Sequence, residues 1–494
     1  MKNIMSITGF LLLLVLATHL PLGFAEEKEP QEILSHPEVQ GALKIIDAWL
    51  DGFQVFDSVP GLSVAIVLDQ EVMYRKSYGY ANLEKKVKAD ADTLYSICSI
   101  SKLFTSIGIM QLRDTGKLRL DDPLQKHLSW FDIHQVHKNS GPITIEGLLT
   151  HSSGLPRESD FPYWGGPDFP FPNRQQMISK LDEQETLYPA RQLFQYSNLG
   201  MALAGEIVSA CSNQEYTAYV SEKILDPLEM NDTRPFFPKE LHGKQMAIGY
   251  TGFDRNQKRE PIKPFNTRGI TPAAGFTSSV NDLIKFVKWQ FKLLSGGEHD
   301  VLDSNTLREM HRVHWVDPDW KTTWGLGFIV SRAEDKTVVG HDGACPGYRT
   351  SVQMIPKEKL AVIVLSNASD TKVDVITKGM FGIIGGALLK TDVPPKESPP
   401  DFSIYEGNYE LKPWGGEMAI RQWGDHLALI GLPTDEPSEE ITKLKHVADH
   451  EFVRLTKEDE PRESVVFQIG LDGTAISFTQ HSMIIKRIAL PSSK

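Results

Sequence analysis

Ser99-Ile100-Ser101-Lys102 places a hydroxyl and an amine three residues apart, where a turn-rich, strand-like stretch gives way to a helical one. A serine oxygen attacks an acyl carbonyl only when a base within hydrogen-bond reach takes its proton. Positions i and i+3 of a helix share a face, so Lys102 can stand beside Ser99. An amine serves as base only if burial or nearby charge lowers its pKa from about 10.4. Tyr196-Ser197-Asn198, at a loop-to-helix junction, supplies a phenol with the complementary need: it becomes a usable base beside a cation such as Lys102. Which of Lys102 and Tyr196 takes the proton stays open at this level, and the two are treated as a coupled pair. Gly340-His341-Asp342-Gly343 follows at the expected end of a strand, and His151-Ser152-Ser153-Gly154-Leu155 closes a short helix. Each pattern is cheap by itself. Ser-x-x-Lys recurs at Ser369 and Lys372, and Tyr-x-Asn at Tyr80-Ala81-Asn82.

The elements that must position these groups read as follows. Apolar residues at helical spacing predict a helix over 38–52, and Leu62 to Leu68 with Val72 to Tyr78 predict a hairpin. The Ser99 helix carries Leu103, Ile107 and Met110 on one side and stops at Gly116. Further helices are predicted over 145–150, 198–209 and, from a capping box at Ser279, 280–294. The stretch 161–172, crowded with Pro, Gly and aromatics, reads as a loop. Strands are then predicted over 325–331, 338–340, 350–355 and 360–365, and a helix over 375–389. This is an α+β pattern, an antiparallel sheet between helical layers. Residues 391–401 carry four prolines among charges, as a semi-rigid linker does. Beyond it, seven short strands between 407 and 488 predict a small antiparallel barrel or sandwich. The domain reading is therefore 1–25 export signal, 26–390 main domain, 391–401 linker and 402–494 barrel.

Composition excludes several classes. The chain has 494 residues, 40% hydrophobic, and a formal net charge of −12 with no basic tract, which argues against nucleic-acid binding. Residues 1–25 read as an export signal: Lys2, an apolar run from Ile4 to Leu20, then Gly23-Phe24-Ala25 before Glu26. No other segment is long and apolar enough to span a bilayer. The mature protein is expected to be soluble, periplasmic or extracellular. Three cysteines, Cys98, Cys211 and Cys345, are too few for a disulfide scaffold, leave at least one thiol free, and are read as packing residues. His134 with His137 and His311 with His314 lack the glutamate of a zinc-protease helix, so no metal and no cofactor is expected.

Taken together, in this order, the chain resembles the penicillin-recognising serine hydrolases: class C β-lactamases, D-Ala-D-Ala carboxypeptidases, D-aminopeptidases and related esterases. Leu148 to Leu155, Thr271-Pro272-Ala273-Ala274-Gly275-Phe276 and Trp324-Gly325-Leu326-Gly327 add to the likeness over about residues 61–389. The resemblance implies a β-lactamase/transpeptidase-like sheet with a helical subdomain, Ser99 as nucleophile, and Lys102 and Tyr196 as the proton-handling pair. It implies Asn198 orienting the substrate amide and Lys102, and an oxyanion hole at the backbone N–H groups of Ser99 and Ala344. It also implies His341 and Gly343 at the sheet edge, His341 facing the substrate carboxylate or leaving group. The third motif has histidine where β-lactamases usually have Lys-Thr-Gly, which shifts the expected activity toward peptidase or esterase. The terminal strands resemble the lipocalin-like appendages of some peptidase members, and imply a domain able to restrict the cleft. The expected partners are small-molecule or peptide substrates, with D-amino-acid peptides first, esters or β-lactams second. The rivals are a receptor that acylates and stalls and a scaffold protein with no acyl chemistry. The oligomeric state is left open.

Overall fold

The computed structural model describes residues 30–298, 300–333, 335–394 and 400–490. The export-signal reading, and residues 395–399 of the linker, lie outside the described residues.

Alternation along the first long strand organises the main domain. In β1 (Gly61–Leu68), Leu62, Val64 and Ile66 point to one face of the sheet, while Ala65 and Val67 point to the other. A strand buried on both faces reads as a continuous apolar run. The remaining sheet strands are β2 (Glu71–Asn82), β3 (Val87–Lys88), β4 (Trp315–Val316), β5 (Thr323–Trp324), β6 (Ile329–Ala333), β7 (Lys336–Cys345), β8 (Tyr348–Ile355) and β9 (Leu360–Ser366). They lie in the order β3-β2-β1-β9-β8-β7-β6-β5-β4, with every neighbouring pair antiparallel.

On one face sit α1 (Pro37–Phe56) and α7 (Val373–Leu388), packed on Leu62, Val64, Ile66, Val362 and Val364. On the other lies the larger core, built around α2 (Ser101–Asp114), α4 (Asn198–Ser212) and α6 (Val280–Leu294). Two short helices, α3 (Ile145–Leu149) and α5 (Thr271–Ala274), border α2 and α4. Residues 101–110 of α2 are all buried, so this helix is surrounded by protein. Its Lys102 cannot escape to solvent.

Two strand readings are corrected. The strand expected over 325–331 begins only at Ile329, because Gly325 and Gly327 occupy the gap between β5 and β6, Gly327 with φ +82°. The His341 motif, expected at a strand end, sits inside β7, which runs on to Cys345. Past Gly340, β7 is paired by β8 alone, since its register with β6 covers only Lys336 to Gly340.

The C-terminal strands close an eight-stranded barrel: β10 (Gly407–Glu410), β11 (Glu417–Trp423), β12 (His426–Leu432), β13 (Thr442–Ala448), β14 (Glu451–Leu455), β15 (Pro461–Ile469), β16 (Ala475–Gln480) and β17 (Met483–Ile488). Closure removes the open sheet edges. The interior is filled by Tyr405, Tyr409, Phe452, Phe467, Phe478 and their aliphatic neighbours. The barrel seats on α1 and α7, on the opposite side of the sheet from Ser99, so the expectation that it restricts the cleft is not met. Gly41 permits the contact: a Cβ there would stand 2.5 Å from Trp423 Cα. Trp49 Nε1 donates to Thr434 O at 3.0 Å, and Trp423 Nε1 donates to Glu38 Oε2 at 2.8 Å. Among the described residues, no helix is long and apolar enough to cross a membrane.

Candidate active site

Ser99 lies in a 3-10 turn, Cys98–Ile100, that opens into α2. In such a turn residues i and i+3 nearly eclipse, which aims Lys102 at Ser99. Several bonds hold the turn in place. Ile97 N donates to Phe276 O at 2.9 Å, Ser101 Oγ donates to Cys98 O at 2.5 Å, and Phe276 N donates to Ser101 Oγ at 3.0 Å. Tyr95–Ser96 also pairs with Thr277–Ser278, fastening the segment before Ser99 to the one after α5.

The Lys102 amine is fully buried, with Nζ 3.1 Å from Ser99 Oγ, 2.9 Å from Asn198 Oδ1 and 2.7 Å from Ala273 O. Burial drives its pKa well below the ordinary lysine value; nearby Glu158 opposes the shift and Arg157 adds to it. The Nζ also sits 4.8 Å from the centre of the Tyr196 ring. Burial raises the Tyr196 phenol above 10, against the pull of the Ser99 hydroxyl and Arg157. The environment therefore pushes the pair toward amine and phenol, the two uncharged forms.

Asn198 is the first residue of α4, capped by Ser197, whose Oγ accepts from Gly200 N at 2.8 Å. Its amide bridges two groups: Oδ1 accepts from Lys102, and Nδ2 donates to Glu158 Oε1 at 2.7 Å. Glu158, which sequence reasoning did not single out, also accepts from the Tyr163 hydroxyl. It lies four residues past Gly154 of the His151 motif, the one signal that could have pointed to it.

His151 brackets Tyr196. Its carbonyl accepts from Gln195 N at 2.7 Å, its Nδ1 accepts from Ser197 N at 3.2 Å, and its ring lies 4.4 Å from the Tyr196 ring. Trp324 closes the cluster, 5.0 Å from His151 and 5.7 Å from His341. His341 itself is only 2% exposed, and its Nδ1 donates to Asp342 O at 2.6 Å. Burial, assisted by Lys102, pushes its pKa down to about 3, so the ring is neutral around pH 7. Gly343 is required by packing: a Cβ there would overlap the Ile97 carbonyl and Thr350 Oγ1. Next to it Ala344 is exposed, on the stretch of β7 that β6 leaves uncovered. Ser99, Lys102, Tyr196 and Asn198 are thus in one cluster. His341 adjoins it through Tyr196, with ring centres 6.3 Å apart. Gly343 and Ala344 border the Ser99 turn.

The cysteine expectation is corrected. Cys98 and Cys345 are joined in a disulfide with Cα atoms 5.7 Å apart, and Cys211 is the free thiol. A separation of 247 residues hides this pairing from any local pattern. Among the described residues, no group of three or more His, Cys, Asp or Glu is placed to hold a metal ion.

The buried histidines make a test of the core. His311, whose Nε2 meets Gln290 Oε1 at 3.0 Å, is held by burial at about 3, as is His341, and His151 lies well below 6.5. Between these values and the unfolded value near 6.5 the unfolded chain binds more protons, so stability falls as pH drops. The melting temperature is expected to fall steeply from pH 6.5 toward pH 4, and less steeply in His311→Gln. Equal slopes in a pH series of thermal melts would refute this.

Comparisons with known proteins agree with the geometry. A family model described as Beta-lactamase matches residues 46–382. Beta-lactamase-like protein 2 of Dictyostelium discoideum is 29% identical over 391 residues, 77% of this chain and 69% of that protein. Protein flp of Staphylococcus aureus (strain MW2) is 30% identical over 321 residues, 63% of this chain and 60% of that protein. The octameric penicillin-binding protein homologue from Pyrococcus abyssi superposes with a TM-score of 0.61 at 27% identity, covering 89% of this chain and 99% of that one. A beta-lactamase/D-alanine carboxypeptidase from Yersinia pestis gives 0.59 at 21% identity, covering 70% and 98%, a likeness of fold alone. The family match spans the Ser99, His151, Tyr196 and His341 motifs and runs from α1 into α7, and the chain belongs to the beta-lactamase family.

Proposed function

We propose that this chain is an exported serine hydrolase that cleaves amide or ester bonds of small substrates through a Ser99 acyl-enzyme, with D-amino-acid peptides as the first substrate class and esters as the second. The observation that carries the reading is the buried Lys102 amine 3.1 Å from Ser99 Oγ. A neutral amine has two N–H groups and one lone pair. With the two N–H groups given to Asn198 Oδ1 and Ala273 O, the lone pair is left for the Ser99 hydroxyl. Lys102 takes the Ser99 proton as the oxygen attacks the acyl carbon. The developing oxyanion accepts from the N–H groups of Ser99 and Ala344, and Tyr196 delivers a proton to the departing amine or alcohol. Water then releases the acyl group by the reverse route. Export rests on the leader 1–25 and fits a disulfide in the mature chain.

The neutral His341 favours amides and esters without a free carboxylate over β-lactams, because the third motif offers no cation to a carboxylate. The test is a panel of D-Ala-D-Ala peptides, D-amino-acid amides, p-nitrophenyl esters and nitrocefin, with the acyl adduct located by mass spectrometry. Turnover of a peptide, amide or ester, slow or absent nitrocefin cleavage and an adduct on Ser99 are expected. A stable nitrocefin adduct on Ser99 with no turnover of any substrate would establish the receptor reading instead. An adduct elsewhere would overturn both.

A further inference from the structure

Cys98 immediately precedes Ser99, and Cys345 immediately follows Ala344. The bridge between them therefore joins the two backbone segments whose N–H groups form the oxyanion hole in the proposed reading, and the inference rests on that reading. Each segment has reason to need the tie. Cys98 holds φ at +50°, a left-handed conformation uncommon for a residue with a Cβ. The 341–345 half of β7 is paired by β8 on one side only and runs straight into the turn at Pro346-Gly347. The other polar links between them among the described residues are light: Thr350 Oγ1, on β8, donates to Ile97 O at 3.2 Å, and Ser96 Oγ lies 3.5 Å from Cys345 Sγ. Gly343 lets β7 come this close but does nothing to keep it there.

We propose that the Cys98–Cys345 disulfide is a positioning element for catalysis: it fixes the spacing of the Ser99 and Ala344 N–H donors, and turnover depends on its oxidised state. Oxyanion donors act through preorganised geometry, and a displacement of about 1 Å can lower a rate by about 100-fold. Reduction by dithiothreitol gives each sulfur one electron and one proton, opening the bridge to two thiols, while the reagent closes to its cyclic disulfide. The β7 tip is then free to move from the Ser99 turn. Because donors to an oxyanion act in the transition state, the loss belongs in kcat rather than KM.

The experiment uses the full chain purified from an oxidising compartment. Denatured without reductant, it is expected to show one reactive thiol, Cys211, and three after reduction. Dithiothreitol-treated wild type and the Cys98→Ser/Cys345→Ser variant, both assayed well below their melting temperatures, are expected to lose about 10- to 100-fold in kcat for a p-nitrophenyl ester, with KM within about twofold. Glutathione disulfide should restore the reduced wild type and leave the double variant unchanged. Three thiols before reduction, or a folded, reduced wild type with undiminished kcat, would overturn the inference. If the double variant fails to fold, reduction and reoxidation of the wild type decide alone. Ser99→Ala separates the two readings: if it abolishes turnover while reduction changes nothing, only the positioning role falls.

Discussion

Ser99→Ala and Lys102→Ala are each expected to lower kcat for a p-nitrophenyl ester by about 10,000-fold, and the double variant to lose no more than either alone. A nucleophile and its base act as a unit, so removing one leaves the other nothing to do. The structure makes the coupling strict. Lys102 Nζ is enclosed by Ser99 Oγ, Asn198 Oδ1 and Ala273 O and is itself shut off from solvent. Lys102→Arg is expected to be as inactive as alanine, because a guanidinium stays protonated and offers no lone pair. The pH profile follows with a definite sign. Burial lowers the Lys102 pKa, so the amine gains its lone pair as pH rises, and kcat/KM should climb to a plateau below the ordinary lysine range. His151 and His341 are already neutral near pH 7 and should add no limb there. Steady-state rates from pH 5 to 10 on wild type and the three single variants check all of this. Additive losses in the double variant, or an active Lys102→Arg, would remove Lys102 from the proton path.

What could be read from the sequence was what local spacing encodes. Ser99 and Lys102 are three residues apart, and Tyr196 and Asn198 two, so each pair is set by one turn of backbone. The N-cap serine at 279 forecast α6, and β-branched runs forecast β1, β8 and β9. Relations across long separations were not legible. The Cys98–Cys345 bridge depends on where β7 lands beside the Ser99 turn, and Glu158 gains its importance only when α4 brings Asn198 to it. The barrel strand β13 escaped notice for a different reason. Only Leu444 of Thr442–Ala448 faces the interior, so no two-residue alternation marks it. The barrel's seat on α1 was equally hidden, since Gly41 and Trp423 signal nothing until they meet. The site's proton inventory is a third kind of case. Residue types supplied an amine and a phenol, and burial on all sides assigned their resting charges.

Tyr196→Phe is expected to separate substrates by the quality of their leaving group. In the proposed mechanism the phenol delivers a proton to the departing atom, and burial holds that proton on Tyr196 at neutral pH. An amine cannot leave as an anion, whereas p-nitrophenolate leaves readily without help. Loss of the hydroxyl should therefore lower kcat on a D-amino-acid amide by about 100- to 1,000-fold and on a p-nitrophenyl ester by about tenfold or less. The phenyl ring keeps its packing on His151, 4.4 Å away, and against Trp324 at 6.0 Å, so the fold and the Lys102 pocket should survive the change. Parallel kcat measurements on the two substrates, with thermal melts as a control, decide the matter. Equal losses on both would mean that Tyr196 acts before the leaving group departs, in the step that takes the Ser99 proton, and Lys102 would then hold the phenol in place rather than serve as the base.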